Sequence, residues 1–290
     1  MDGFLQLVIS GIAMGAIYAL VGLGYALIYN ASHVVNLAQG EFVMLGGMGA
    51  VALVALGLPL PVAMFLAVAG TAVIGLIMVR LTIEPRRGSP VLSLMLLTIG
   101  VGIILRGAVM LLWDKETHTL APIGSGALIQ VFGVTIVPQT LWVIGLMVAV
   151  VIAVDLFFRR TRHGKAILAA SFNPTAAQLV GINIPTVLRA SFLLSAVVGG
   201  LAGVLVTPLT FTSFDAGLAL GIKGFSAAII GGMGNGLGAV IGGLLLGLTE
   251  AMAAGYISSS YKDLIALIVI LAVMLLAPNG ILGSRAKERV

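Results

Sequence analysis

The chain has 290 residues, of which 60% are hydrophobic and only 9% charged, with a mean hydropathy of +1.20, a composition that no water-facing surface can accommodate and that marks an integral membrane protein. With no cysteine, three scattered histidines and no HExxH or paired-carboxylate motif, it has neither a disulfide framework nor the residues for zinc or hydrolytic chemistry, so no cofactor is expected and an enzyme is disfavoured. The net charge of +5 is not spread along a basic face interleaved with aromatics, which argues against nucleic acid. It sits in three clusters at the ends of apolar runs (Arg80, Arg86, Arg87; Arg159, Arg160, Arg162, Lys165; Arg285, Lys287, Arg289), which by the positive-inside rule mark the cytoplasmic side.

The apolar runs lack the ten-residue alternation of barrel strands, so the expected fold is an all-α polytopic bundle forming a single transmembrane domain over residues 1–290. About 20 apolar residues at a rise of about 1.5 Å cross a hydrocarbon core of roughly 30 Å. On that scale nine spans, within a range of eight to ten, fall near 4–29, 41–57, 60–80, 91–113, 138–158, 189–210, 217–232, 236–255 and 264–282. The opening "MDGFLQLVIS" carries an acid and no basic n-region, so the first run is expected to remain as a helix. With the basic clusters inside, residues 114–137, 211–215 and 256–263 lie outside, as does the N-terminus; Lys115 and Lys262 are the exceptions, each beside an acid.

Between the first two spans lies "NASHVVNLAQGEFVMLGG", residues 30–47. It is either an ordinary cytoplasmic turn or an irregular stretch at membrane depth, tolerated only when buried in protein or lining a wet path. Apolar residues at Val34, Val35, Leu37, Ala38 and Phe42 favour the second reading and make Asn36, Gln39 and Glu41 candidates for a substrate path. Arg106 lies about two turns before the interfacial Trp113, too deep to snorkel comfortably, and should therefore pair with an acid, with carbonyls or with a ligand carboxylate. Glu250, close to Tyr256, reads as interfacial, and Asp155 with Arg159 as an i,i+4 surface pair.

Residues 159–188, "RRTRHGKAILAASFNPTAAQLVGINIPTVL", form the longest polar-flanked stretch on the basic side. Asn173 can cap, Pro174 suits the first helical position and Gly181 a left-handed stop, which signals a short helix over 174–180. Such a helix is either a docking peg, with Ala176, Ala177, Leu179 and Val180 filling a partner's groove, or a connecting helix resting on the membrane. No GxxxxGK[ST] occurs, so if ATP drives the protein another polypeptide must bind it.

The 39 glycines include pairs at spacing four (Gly11 and Gly15, Gly199 and Gly203, Gly234 and Gly238, Gly243 and Gly247) that let helix backbones approach closely. "GGMG" occurs at residues 46–49 and 231–234, which reads either as a trace of an internal duplication or as coincidence in a glycine-rich chain.

Taken in order, "GAIYALVGLGYALIYN", "VNLAQGEFVMLGG", "HGKAILAASFNPTAAQLVGIN", "GGLAGVL", "KGFSAAIIGGMGNGLGAVIGGLLLGLTEA" and "YKDLIALIVILAVMLLAPNGILG" resemble the LivH-type permease subunits of branched-chain amino acid ABC importers over essentially the whole chain. The resemblance implies a bacterial inner-membrane protein paired with a second, LivM-like permease, two cytoplasmic ABC ATPases and a periplasmic substrate-binding protein. It also implies that residues 164–183, with Gly164, Asn173, Pro174, Ala176, Ala177, Leu179 and Gly181, form the coupling segment to the ATPases. Where the family usually reads Asn-Phe-Ala-His-Gly-Glu this chain has Asn36, Leu37, Ala38, Gln39, Gly40 and Glu41. That departure leaves branched-chain amino acids, urea or amides, and aromatic acids open as substrates. Two other classes compete: an ion-coupled secondary transporter, for which Glu41 and Glu250 are the acids at hand, and a passive channel or structural protein, which needs no cytoplasmic peg.

Overall fold

Every one of the nine expected spans corresponds to a helix. The computed structural model describes residues 2–124, 128–131 and 134–283; the basic cluster at Arg285, Lys287 and Arg289 lies outside them. The chain runs through α1 (Asp2–Ser32), α2 (Gln39–Ala55), α3 (Leu60–Met78), α4 (Val91–Leu112), α5 (Pro138–Arg160), α6 (Arg162–Phe172), α7 (Pro174–Leu179), α8 (Ile184–Thr210), α9 (Ala216–Gly231), α10 (Gly236–Tyr256) and α11 (Lys262–Leu276). Among the described residues seven helices are long and apolar enough to cross a membrane; α2 and α9, at 17 and 16 residues, are shorter.

Local chemistry explains the boundaries. Pro59 and Pro90 precede α3 and α4, and α5, α7 and α8 carry proline in their first turn, where the missing N–H is not needed. Asn173, Asn183 and Asn235 cap α7, α8 and α10, their side-chain oxygens accepting from the amides of Ala176 (3.0 Å), Thr186 (3.3 Å) and Gly238 (2.9 Å). Two expectations are corrected. The last helix ends at Leu276 and not near residue 282, because Pro278 forces the residue before it out of the helical region. The tail then turns back, and the amides of Ile281 and Leu282 donate to the carbonyls of Ile230 and Gly231, which the end of α9 leaves free. The third span is extended by a π turn (Val79–Ile83) and a 3-10 turn (Glu84–Arg86). Residues 162–172 form a further helix, α6, for which no expectation had been drawn, capped by Thr161 Oγ1 accepting from the Gly164 amide at 2.9 Å.

The loop between α4 and α5 is not featureless. It holds an antiparallel hairpin of β1 (Ile129–Val131) and β2 (Val134–Ile136), and His118 forms a bridge with Thr212 just beyond α8. His118 Nε2 stands 2.8 Å from Asp114 Oδ1, which holds that carboxyl below the usual range.

At the centre stands α1, with Ala16, Ile17, Ala19 and Leu20 fully enclosed by α5, α8, α9 and α10. Two of the spacing-four pairs pack against each other: Gly11 and Gly15 of α1 meet Gly243 and Gly247 of α10 backbone to backbone, whereas Gly234 lies at φ 89° in the turn before α10 and shares no helix with Gly238. The two "GGMG" stretches are not equivalent, since the first lies inside α2 and the second ends α9, with Gly232 and Gly234 at φ 102° and 89°. A Cβ at Gly15 would stand 2.9 Å from the Cα of Leu244, whereas one at Gly70 of α3 meets nothing within 4 Å. Gly15→Val is therefore expected to lower the thermal midpoint in detergent, at a cost of about 1–3 kcal/mol typical of overpacking, and Gly70→Val to leave it nearly unchanged. Equal midpoints would refute the close crossing.

Outward-facing apolar side chains dominate the rest: Leu92, Leu96, Ile103 and Leu111 on α4, Leu156 on α5, Leu267, Leu271 and Leu275 on α11. Only lipid or other membrane helices can cover surfaces of this kind.

Candidate translocation and coupling sites

The polar stretch after α1 is an internal structure. Helix α1 runs to Ser32, His33 turns the chain at φ 53°, and α2 starts at Gln39, so the irregular part is only about six residues long. Asn36, Gln39 and Glu41 are 1%, 0% and 3% exposed, which excludes a solvated turn. Neighbouring helices hold the turn: the Leu37 amide donates to Thr98 Oγ1 of α4 (3.0 Å), and Ser195 Oγ of α8 lies 2.7 Å from Gln39 Oε1 and 2.8 Å from the Gly24 carbonyl. Asn36 Oδ1 accepts from the Ala38 amide at 3.2 Å. These bonds satisfy backbone and side-chain groups that have no water to turn to, although Asn36 Nδ2 finds no partner among the described residues.

Glu41 meets the other deep charge. Arg106 Nη2 of α4 donates to Glu41 Oε1 at 2.5 Å, so the expected partner of Arg106 is an acid 65 positions away in sequence. Both side chains line a cavity of about 390 Å³ between α1, α2, α4 and α9, whose remaining walls include Tyr25, Leu37, Ile99, Ile103, Ile222 and Phe225. Gly217 closes one side, and a Cβ there would stand 2.9 Å from Glu41 Oε2. Of the four residues singled out for a path, Glu41 and Arg106 reach the cavity; Asn36 and Gln39 lie in the packed interior beside it.

A second charged cluster, partly buried, escaped the sequence reading. Lys223, seven residues into α9, places Nζ 2.8 Å from Glu250 Oε1 of α10 and 3.0 Å from Asp263 Oδ1 at the start of α11. Tyr18 of α1 donates to Glu250 Oε2 at 2.7 Å. Glu250 is 7% exposed, so its carboxylate is covered by neighbouring helices. A lone lysine inside an apolar run was the available signal. The surface pair is present as expected, with Arg159 Nε donating to Asp155 Oδ1 at 2.9 Å.

On the basic side α6 and α7 form a compact step between α5 and α8. Gly164 packs against the backbone of Phe157 and Phe158, Ile167 is fully buried, and Gly181 at φ 89° ends the step. Arg189 at the start of α8 forms a two-pronged pair with Glu84 at the end of the third span, at 2.5 and 2.7 Å, tying the step to α3. Leu179, Val180 and Phe172 point away from the protein, at 85%, 78% and 88% exposure. Ala176, Asn173 and Pro174 are exposed with them, whereas Ala177 is 4% exposed and packs against its own chain. Ala177 therefore holds the step in place and is not available to fill a groove elsewhere; Phe172, unmarked in the sequence reading, takes its place on the free face.

Residues 7–274 match the family model of the branched-chain amino acid transport system permease component. This chain belongs to that family. The permease is 31% identical to the high-affinity branched-chain amino acid transport system permease protein BraD of Pseudomonas aeruginosa, over 99% of this chain and 98% of the relative. It is 30% identical to LivH of Salmonella typhimurium, with the same shares covered, and 30% identical to a probable LivH of Methanocaldococcus jannaschii, over 93% and 89%. Together with its apolar helices, this makes the permease a multi-pass protein of the bacterial inner membrane.

Proposed function

We propose that the permease is the membrane subunit of an ATP-driven importer for branched-chain amino acids or related small polar solutes. It acts beside a second, LivM-like permease, with two cytoplasmic ABC ATPases and a periplasmic substrate-binding protein. The observation that carries this reading is the free apolar face of the α6–α7 step, Phe172, Leu179 and Val180, held out from the protein by two capped helices. Three adjacent apolar side chains at 78–88% exposure on the basic side are what a docking partner's groove would cover. In this reading α2 and α9 are also embedded, giving nine segments with the N-terminus outside. Closure of the ATPases moves the step; α5 and α8, continuous with it, carry the motion into the bundle, and the cavity at Glu41 and Arg106 alternates between the two sides.

An ion-coupled mechanism is less well supported, because both deep acids are already paired with cations, Glu41 with Arg106 and Glu250 with Lys223, which leaves neither free to bind a driving ion. Reconstitution of the permease with its partners in proteoliposomes tests the choice. Leucine uptake should require ATP and the binding protein, and uptake driven by an ion gradient without ATP would reject the proposal.

A further inference from the structure

One residue is held in a backbone conformation that its side chain opposes. Phe211, which follows α8, lies at φ 65° and ψ 171°, a region in practice reserved for glycine. The other described non-glycine residue at positive φ, His33, is of a type that tolerates the left-handed region; a bulky aromatic is not. Backbone pairing on both sides enforces the conformation. The Phe211 amide donates to the Thr207 carbonyl at 3.1 Å, and His118 and Thr212 exchange amide-to-carbonyl bonds of 2.8 Å in both directions, with Thr212 4% exposed. The ring at the apex is 61% exposed, so packing within the chain does little to offset the strain. Strained residues persist where the surroundings hold them, and they gather where a ligand or partner is gripped. We infer that Phe211 is the anchor by which the permease grips the soluble substrate-binding protein, its ring entering an apolar socket rimmed by basic side chains. This names where that partner docks and rests on the importer reading above.

Helix α8 begins at the α6–α7 step, and its 27 residues rise about 40 Å, more than the roughly 30 Å of a hydrocarbon core. Phe211 therefore emerges at the membrane face opposite the proposed ATPase contact, and a partner there is a different molecule. The local charge points to what that molecule presents. The segments joined by the His118–Thr212 bridge carry Asp114, Glu116 and Asp215 against Lys115, an excess of acid that complements a basic rim and repels anionic lipid headgroups. Phenylalanine also lacks the polar tip by which tryptophan and tyrosine settle at a lipid interface. A single large side chain that fills a desolvated pocket can carry much of an interface's affinity.

The test uses the assembled complex of both permeases and both ATPases in phosphatidylcholine nanodiscs, with ATP hydrolysis measured as leucine-loaded binding protein is titrated in. Phe211→Gly should raise the half-maximal concentration of binding protein at least about 10-fold, the loss of one anchor, and leave hydrolysis without binding protein unchanged. Glycine adopts this φ freely, so the same variant should melt at or above the midpoint of the unaltered complex, which separates lost docking from lost folding. Glu116→Lys should raise the half-maximal concentration at low salt and lose that effect as salt rises. Because the chain has no cysteine, Thr117→Cys, at an exposed position beside the bridge, reports the side. A maleimide that cannot cross the membrane should label it in spheroplasts, and added binding protein should slow the labelling. Equal half-maximal concentrations for Phe211→Gly and the unaltered complex would overturn the anchor and leave the ring to the lipid interface. A lowered melting midpoint, or labelling only after the membrane is opened, would overturn it as well. A complex that hydrolyses ATP but ignores the binding protein would overturn the importer reading instead.

Discussion

Leu179→Asp combined with Phe172→Asp is expected to yield a permease that reaches the membrane in normal amount, melts normally, no longer copurifies with the ATPases, and loses ATP-driven uptake by about 100-fold or more. The magnitude follows from truncating two apolar anchors at the centre of an interface, each worth about 2 kcal/mol or more, with a charge added to each. Normal melting is expected because both side chains are at least 85% exposed and contribute little to the permease's own packing. Ala177→Asp gives the opposite pattern. It buries a carboxylate where Ala177 packs inside the step, so loss of docking would come with a lowered melting point and would say nothing about the contact surface. Undiminished ATPase copurification by the double variant would show that the ATPases grip the permease elsewhere.

The second large effect lies at the Lys223–Glu250 cluster. Glu250→Ala removes the buried partner of Lys223 and the acceptor of the Tyr18 hydroxyl in one step. Breaking a buried pair from one side destabilises by about 3–5 kcal/mol, and the low end, about 3 kcal/mol, is expected here because Lys223 keeps Asp263 as a second partner. The double variant Lys223→Met with Glu250→Leu should recover most of that loss, since it leaves no uncompensated charge and fills the space with apolar atoms. Thermal unfolding of Lys223→Met, Glu250→Leu and the double variant in detergent measures the coupling. A double variant as unstable as the sum of the singles would mean that the two residues do not support each other. Since α11 is nearly unburied and Asp263 opens it, the same measurement reports how firmly that helix is held to the bundle.

The sequence by itself determined the order of the apolar helices, their proline and asparagine boundaries, the glycines of the α1–α10 crossing and the short helix that starts after Asn173. These follow from short-range rules: an apolar stretch of sufficient length must be helical in lipid, Asn173 before Pro174 starts a helix wherever it occurs, and Gly11 with Gly15 lies on one helix face by the period of the helix. It also required that Arg106 have a partner, because an isolated deep charge is too costly to leave unmet. Only the tertiary structure decided that the partner is Glu41, that Lys223 and Glu250 form a separate cluster, that Ala177 turns inward while Phe172 turns outward, and that Asn36, Gln39 and Glu41 are buried among neighbouring helices. Each of those facts concerns which side chains from distant segments meet. In a bilayer, where lipid is as apolar as the helices, hydrophobicity does not choose the facing partners; steric fit at glycines and the pairing of a few buried charges do.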